Sequence, residues 1–132
     1  MKKIYICSPL AGDVAGNIER ARGYCRAAAD SGVLPLAPHI YCIQFLDDAI
    51  PDERELGMEM GLELLGLCDE VWVHGSTIST GMAWEIALAG ELGIPIIYME
   101  GMKKVEKKYM ADGSADYDMS ECDSGAGLCQ QL

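Results

Sequence analysis

The chain has 132 residues, half of them hydrophobic, and a formal net charge of −11 from 10 Lys+Arg against 21 Asp+Glu. That length suits one domain with a sizeable core, and no apolar run is long enough to cross a bilayer. The acidic balance excludes a binder of nucleic-acid backbones, which needs a basic face. It leaves a small anionic ligand open, because a few backbone amides and one arginine suffice to hold a phosphate.

The opening "MKKIYICSP" has two lysines but too brief an apolar stretch for a secretory leader, so 3–7 is expected as a first strand and the protein as cytoplasmic. The loop "SPLAGDVAG" follows. Ile18, Ala21, Cys25 and Ala28 then recur at helical spacing, predicting a helix over about 17–29 with Asn17 as its cap and Ser31-Gly32 ending it. "VLPLAPHIY" (33–41) reads as a second strand whose prolines suit an edge. A looser segment over 42–54 leads into a helix over about 52–68, with Leu56, Met60, Leu64 and Leu67 on one face.

"DEVWVHG" (69–75) is apolar enough for a central parallel strand. A helix over about 79–92 ends at Gly93, and "IPIIYM" (94–99) gives a fourth strand. The alternation predicts an α/β fold: a small doubly wound, flavodoxin- or Rossmann-like parallel sheet of four to five strands with helices on both faces. Ligands of such sheets bind at the strands' carboxyl ends, which points to loops 8–16, 38–48 and 75–80 and to whatever follows Met99. The domain is taken as 1–110. Residues 111–132 hold five acidic and no basic residues and are expected to form an acidic, flexible tail.

Cys7, Cys25, Cys42 and Cys68 stand singly inside strand or helix patterns and read as reduced core residues; Cys122 and Cys129 lie in the tail with no histidine nearby. No His, Cys or carboxylate set has metal-ligand spacing, so neither metal nor cofactor is expected. The loop after the first strand has Gly12 and Gly16 but neither a dinucleotide fingerprint nor a Walker lysine, and no nucleophile elbow is present. Arg20 and Arg22 near the following helix's start could approach a phosphate. His39 and His74 sit at strand ends. Ser79-Thr80-Gly81 forms a helix N-terminus, where free amides attract an anion. Glu85, between Trp84 and Ile86, falls on a helix flank, with Met82, Ala83, Ile86 and Ala87 expected to face the sheet. A carboxylate there is either a nucleophile or acid/base group, or an ordinary surface glutamate.

These residues carry a family resemblance. "ISTGMAWEIALAGELGIPI" is similar to the motif S-x-G-x-[GA]-[aromatic]-E of the nucleoside 2-deoxyribosyltransferase-like superfamily, which includes transferases and 2-deoxynucleoside 5-monophosphate N-glycosidases. Ser79, Gly81, Ala83, Trp84 and Glu85 match it position by position. "YICSP", "APH" and "LLGLCDEVWVHG" resemble further segments of that superfamily, and the likeness spans residues 3–99, nearest to its small bacterial and phage domains.

The resemblance implies that Glu85 attacks C1′ of a (deoxy)ribosyl group to give a covalent glycosyl-enzyme, resolved by a base or water. It implies that Ser79, with Gly81, contacts the sugar's 5′ end. A serine there, in place of the transferases' aspartate, favours a nucleotide over a nucleoside. Ser8 and the backbone of 9–12, from Pro9 to Gly12, would help hold phosphate or sugar. Tyr5 and Trp84 would wall the site, and His39 would lie at its rim. It also implies a homo-oligomer. One departure stands out: the superfamily's substrate-holding aspartate, eight residues before the position of Asp69, is Gly61 here. Glu59 and Glu63 point elsewhere around the helix, leaving Asp47, Asp48, Glu55 or a neighbouring subunit's acid as replacement. The alternative is a domain that binds a nucleotide-derived ligand without turnover.

Overall fold

The alternating strands and helices form one sheet. In chain order the computed structural model, which describes residues 1–100 and the backbone of 103–105, runs β1 (Lys3–Cys7), α1 (Val14–Asp30), β2 (Leu34–Leu36), α2 (Pro38–Tyr41), a turn of 3-10 helix (Cys42–Gln44), α3 (Pro51–Leu65), β3 (Glu70–Val73), α4 (Thr80–Leu92), β4 (Ile96–Glu100) and β5 (Lys103–Val105). The strand order is β2-β1-β3-β4-β5. The first four strands pair in parallel, and β5 pairs antiparallel with β4, so the fifth strand is a return strand rather than another crossover. The expected acidic tail, 111–132, lies outside the described residues, as do Cys122 and Cys129.

The sheet separates two cores. On one face Tyr5, Cys7, Val71 and Val73 pack against Leu65 of α3 and Met82, Ile86 and Ala89 of α4. On the other, Ile4, Ile6 and Trp72 pack with Ala28 of α1. Because β1 and β3 are neighbours while their connections leave in opposite directions, the sheet has its switch point between them, and a crevice opens beyond Cys7 and Val73. No helix of the described residues is long and apolar enough to cross a membrane. Cys7, Cys42 and Cys68 are buried and Cys25 half-buried, all four as free thiols.

Four local expectations change. Helix α1 starts three residues early, at Val14, because Asp13 is its cap and accepts from the Gly16 amide at 3.1 Å; Asn17 lies inside the helix and is buried. Strand β2 stops at Leu36, on the sheet edge that tolerates its proline, and His39 lies in the first turn of α2. Pro38 sits at that helix's start, where a fixed φ favours the turn. In α4 the buried stripe is Met82, Ala83, Ile86 and Ala89; Ala87 is exposed.

Helix α3 is inverted relative to its leucine pattern. Its buried positions are Gly57, Gly61 and Leu65, while Leu56 and Leu67 are exposed and Met60 and Leu64 line an open surface depression with Tyr41. A helical glycine costs about 1 kcal/mol relative to alanine. The return is close approach: a Cβ on Gly61 would meet the Tyr5 hydroxyl at 3.4 Å and Pro38 Cγ at 3.7 Å.

Candidate functional site

Glu85 lies on α4, which begins where the loop after β3 ends; Ser79 caps the helix by accepting from the Met82 amide at 3.2 Å. With Met82 and Ile86 turned into the core, Glu85 falls beside β1. There the Tyr5 hydroxyl donates to Glu85 Oε2 at 2.8 Å. Cys7, two residues along β1 and hence on the same face, lies beside the carboxyl group, with its thiol directed to Met82 O at 3.9 Å. Burial pushes the Glu85 carboxyl from 4.5 up to about 7, and the neighbouring Tyr5 and Cys7 pull the other way. Burial, then the facing Glu85, raises both the Tyr5 hydroxyl and the Cys7 thiol well above their ordinary values. Both therefore stay protonated, Tyr5 donating to Glu85 and Cys7 to the Met82 carbonyl. The result is a half-buried carboxyl poised near neutrality and held by one fixed hydrogen bond from Tyr5, which is the condition of an activated nucleophile or acid/base group.

Gly61 faces this contact from α3. Even an alanine there would touch the Tyr5 hydroxyl, so an aspartate would compete with Glu85 for it. Among the acids that could stand in, Asp47, Glu55, Glu59 and Glu63 are exposed. Asp48 is half-buried; burial raises its carboxyl, and the nearby Arg54 pulls it back.

On the other side of the strand end, Ser8 Oγ and His39 Nε2 share a hydrogen bond at 3.0 Å, both side chains buried. Burial lowers His39 to about 4, so it is neutral at pH 7 and belongs inside the site wall rather than at a charged rim. Beside Ser8 opens a cleft of about 370 Å³ between α1 and the loop after β3, lined also by Pro9, Arg20, Tyr24 and residues 75–77. His74 is buried with its ring stacked on Tyr24, centroids 3.9 Å apart. Another cavity of about 380 Å³ lies further down the α1 face, around Trp72 and Met99.

The other expected site residues distribute unevenly. Gly81 is buried in the first turn of α4. Gly12 lies in an exposed turn at φ 90°. Trp84 is 50% exposed on α4, so it can wall only a ligand that lies outside the Tyr5–Glu85 contact.

The sequence of one known family matches residues 2–99, and that family is described as a domain of unknown function, DUF7768. The chain belongs to this family. A comparison with curated proteins finds no significant match. Among solved structures, the chain is similar to the 2-deoxyribosyltransferase of the psychrotolerant bacterium Bacillus psychrosaccharolyticus, with a TM-score of 0.62 and 20% identity over 96% of this chain and 95% of that one. A 2-desoxiribosyltransferase from Leishmania mexicana matches with a TM-score of 0.52 and 17% identity over 97% and 95% of the two chains. A conserved protein from Enterococcus faecalis V583 matches with a TM-score of 0.52 and 20% identity over 88% and 70%. At these identities the shared property is the fold.

Within this DUF7768 domain, the roles of two residues, one on β1 and one on α1, escape sequence reasoning. Cys7 reads as an ordinary core thiol, and only its place two residues after Tyr5 on one strand hints at a shared neighbour. Asn17 reads as a cap, although an asparagine inside a helix is unfavourable unless its amide is used. Here the Asn17 amide donates to Leu10 O and Ala11 O, both at 2.9 Å, and fastens the loop after β1.

Proposed function

We propose that this domain cleaves or transfers an N-glycosidic bond of a (deoxy)nucleotide or nucleoside, with Glu85 as nucleophile. The observation that carries the reading is the half-buried Glu85 carboxyl, held by Tyr5 at 2.8 Å at the carboxyl edge of the sheet. The deoxyribosyltransferase fold and the match of Ser79, Gly81, Trp84 and Glu85 to that superfamily's motif support it.

In the first step a Glu85 oxygen bonds to C1′, the C1′–N bond breaks, and its electron pair leaves on the base nitrogen, which takes a proton from solvent or a nearby acid. Asp48 suits that role best among the acids near α3, since burial raises its carboxyl. In the second step a water, or an incoming base, attacks C1′ and loses its proton as the carboxylate departs. Tyr5 stabilises the carboxylate before attack and after release. Ser79, Gly81 and the amides at the α4 N-terminus hold the 5′ end; Ser8, Pro9, Gly12 and His39 bound the pocket, and Trp84 flanks it. The outward stripe of Leu56, Met60, Leu64 and Leu67 suits coverage by a second copy, and a nucleotide substrate suits the cytoplasm.

The alternative, binding of a nucleotide-derived ligand without turnover, draws its support from Gly61. Incubation with a panel of nucleosides and their monophosphates, read as free base by chromatography, separates the two. Turnover is expected in the wild type, with a loss of at least about 10³-fold in Glu85→Ala. No base released from any substrate, with ligands bound intact, would overturn the catalytic reading in favour of binding.

A further inference from the structure

We propose that the cleft between α1 and the loop after β3 is a second anion subsite, which takes the distal phosphate of a nucleoside diphosphate. Placing the sugar of that ligand against Glu85 rests on the function proposed above; the anion subsite itself does not.

The cleft is polar and offers a cation at its wall in a chain of net charge −11. Arg20 is the one charged side chain among its lining residues. Its guanidinium is oriented rather than loose: Nη2 donates to Asn17 Oδ1 at 2.8 Å. Asn17, only 8% exposed, has both amide hydrogens committed to Leu10 O and Ala11 O, so it cannot turn away. Every polar atom of the asparagine side chain is thus engaged in locking the loop after β1 and setting the arginine. Arg20 carries five N–H donors in a planar fork. Its only other partner among the described residues is Asp13 at 3.5 Å, and that carboxylate is 71% exposed and readily displaced. The neighbouring arginines differ: Arg26 is tied to Asp30 at 3.0 Å, and neither it nor Arg22 lines the cleft.

The opposite wall is backbone and hydroxyl. Gly75 adopts φ +102°, a backbone conformation that favours glycine, and packs against the Pro9 ring, so the loops after β1 and β3 are in contact there. Ser76 and Thr77 follow, exposed at the cleft. The volume, about 370 Å³, lies at the lower end of small-molecule sites, roughly 300–1,000 Å³.

The two-phosphate ligand follows from the loop 75–79. Its first part, 75–77, lines the Arg20 cleft, and its last residue, Ser79, caps the helix whose amides attract an anion. A single loop therefore borders two anion positions. Ser8 lines the cleft while the adjacent Cys7 lies beside the Glu85 carboxyl, so a ligand that spans both crosses only the end of β1.

Titration calorimetry at low salt tests this on a Glu85→Gln background, where turnover cannot confuse binding. Probes are adenosine and uridine, their mono- and diphosphates, and inorganic pyrophosphate. The diphosphates are expected to bind at least about tenfold tighter than the monophosphates, with pyrophosphate competing, and Arg20→Gln is expected to erase that preference. Arg20→Lys, which keeps charge but loses the fork, is expected to retain part of it. Equal affinity for mono- and diphosphates, or a preference that survives Arg20→Gln, overturns the proposal. Tight diphosphate binding with no base release by wild-type protein would keep the subsite and reject the glycosyl chemistry.

Discussion

One strand end separates two ways of holding charge. On the α3–α4 side of β1, Glu85 is flanked by Tyr5 and Cys7, and burial lifts its carboxyl to about 7. On the α1 side, one residue further on, Arg20 is 54% exposed in its side chain and is set by a buried asparagine. Taking a charge out of water is expensive and makes it reactive. Keeping it wet costs little and leaves it able to recognise an ion. The costly arrangement falls at the carboxyl proposed to form a bond, and the cheap one at the arginine proposed to recognise an anion.

The largest effect expected from this contrast is stabilisation by loss of the buried carboxyl. Glu85 has a folded value of about 7 against an ordinary 4.5. Below about pH 4.5 both folded and unfolded chains hold the proton and the residue costs nothing. From there to about pH 7 the unfolded chain sheds its proton first, so stability falls with rising pH, and above about 7 the whole cost is present. Glu85→Gln is therefore expected to be more stable than wild type by about 2–3 kcal/mol at pH 8 and about equal to it at pH 4, by urea denaturation. A difference that does not change with pH would mean that the carboxyl is not desolvated.

Next in size is Tyr5→Phe. The Tyr5 bond lowers the Glu85 value, so its removal should move the rising limb of the pH–rate profile, or the NMR titration of Glu85, upward by about half to one unit. A downward or absent shift would mean that Tyr5 does not hold the carboxylate form. Smallest is Arg20→Ala. A solvated pair contributes little, so thermal unfolding should register less than about 1 kcal/mol, unchanged between pH 5 and 8. A loss above about 2 kcal/mol would make Arg20 a structural residue and remove the contrast.

The strands 3–7 and 69–75, the last helix and the parallel order are legible in the sequence because apolar periodicity is local and a β-α-β chain has one preferred handedness. Ser79 as a cap and Glu85 on a flank follow from the same local rules. Helix α3 escapes them. Its leucines mark an apolar stripe that faces outward, while Gly61 on the opposite side packs against Tyr5 and Pro38. Asn17 and His39 escape for a related reason: each belongs to a helix whose start is fixed by a neighbour, Asp13 or Pro38.

The sequence by itself determined the α/β class, the strand-end loops where a ligand would bind and the presence of one carboxylate in a recognisable motif. Only the tertiary structure decided that this carboxylate is drawn partly out of water and gains a donor, because Tyr5 lies eighty residues before Glu85 and meets it through the sheet. Periodicity reports which side of an element is apolar. Desolvation depends on what the rest of the chain brings to that side, and no local pattern records it.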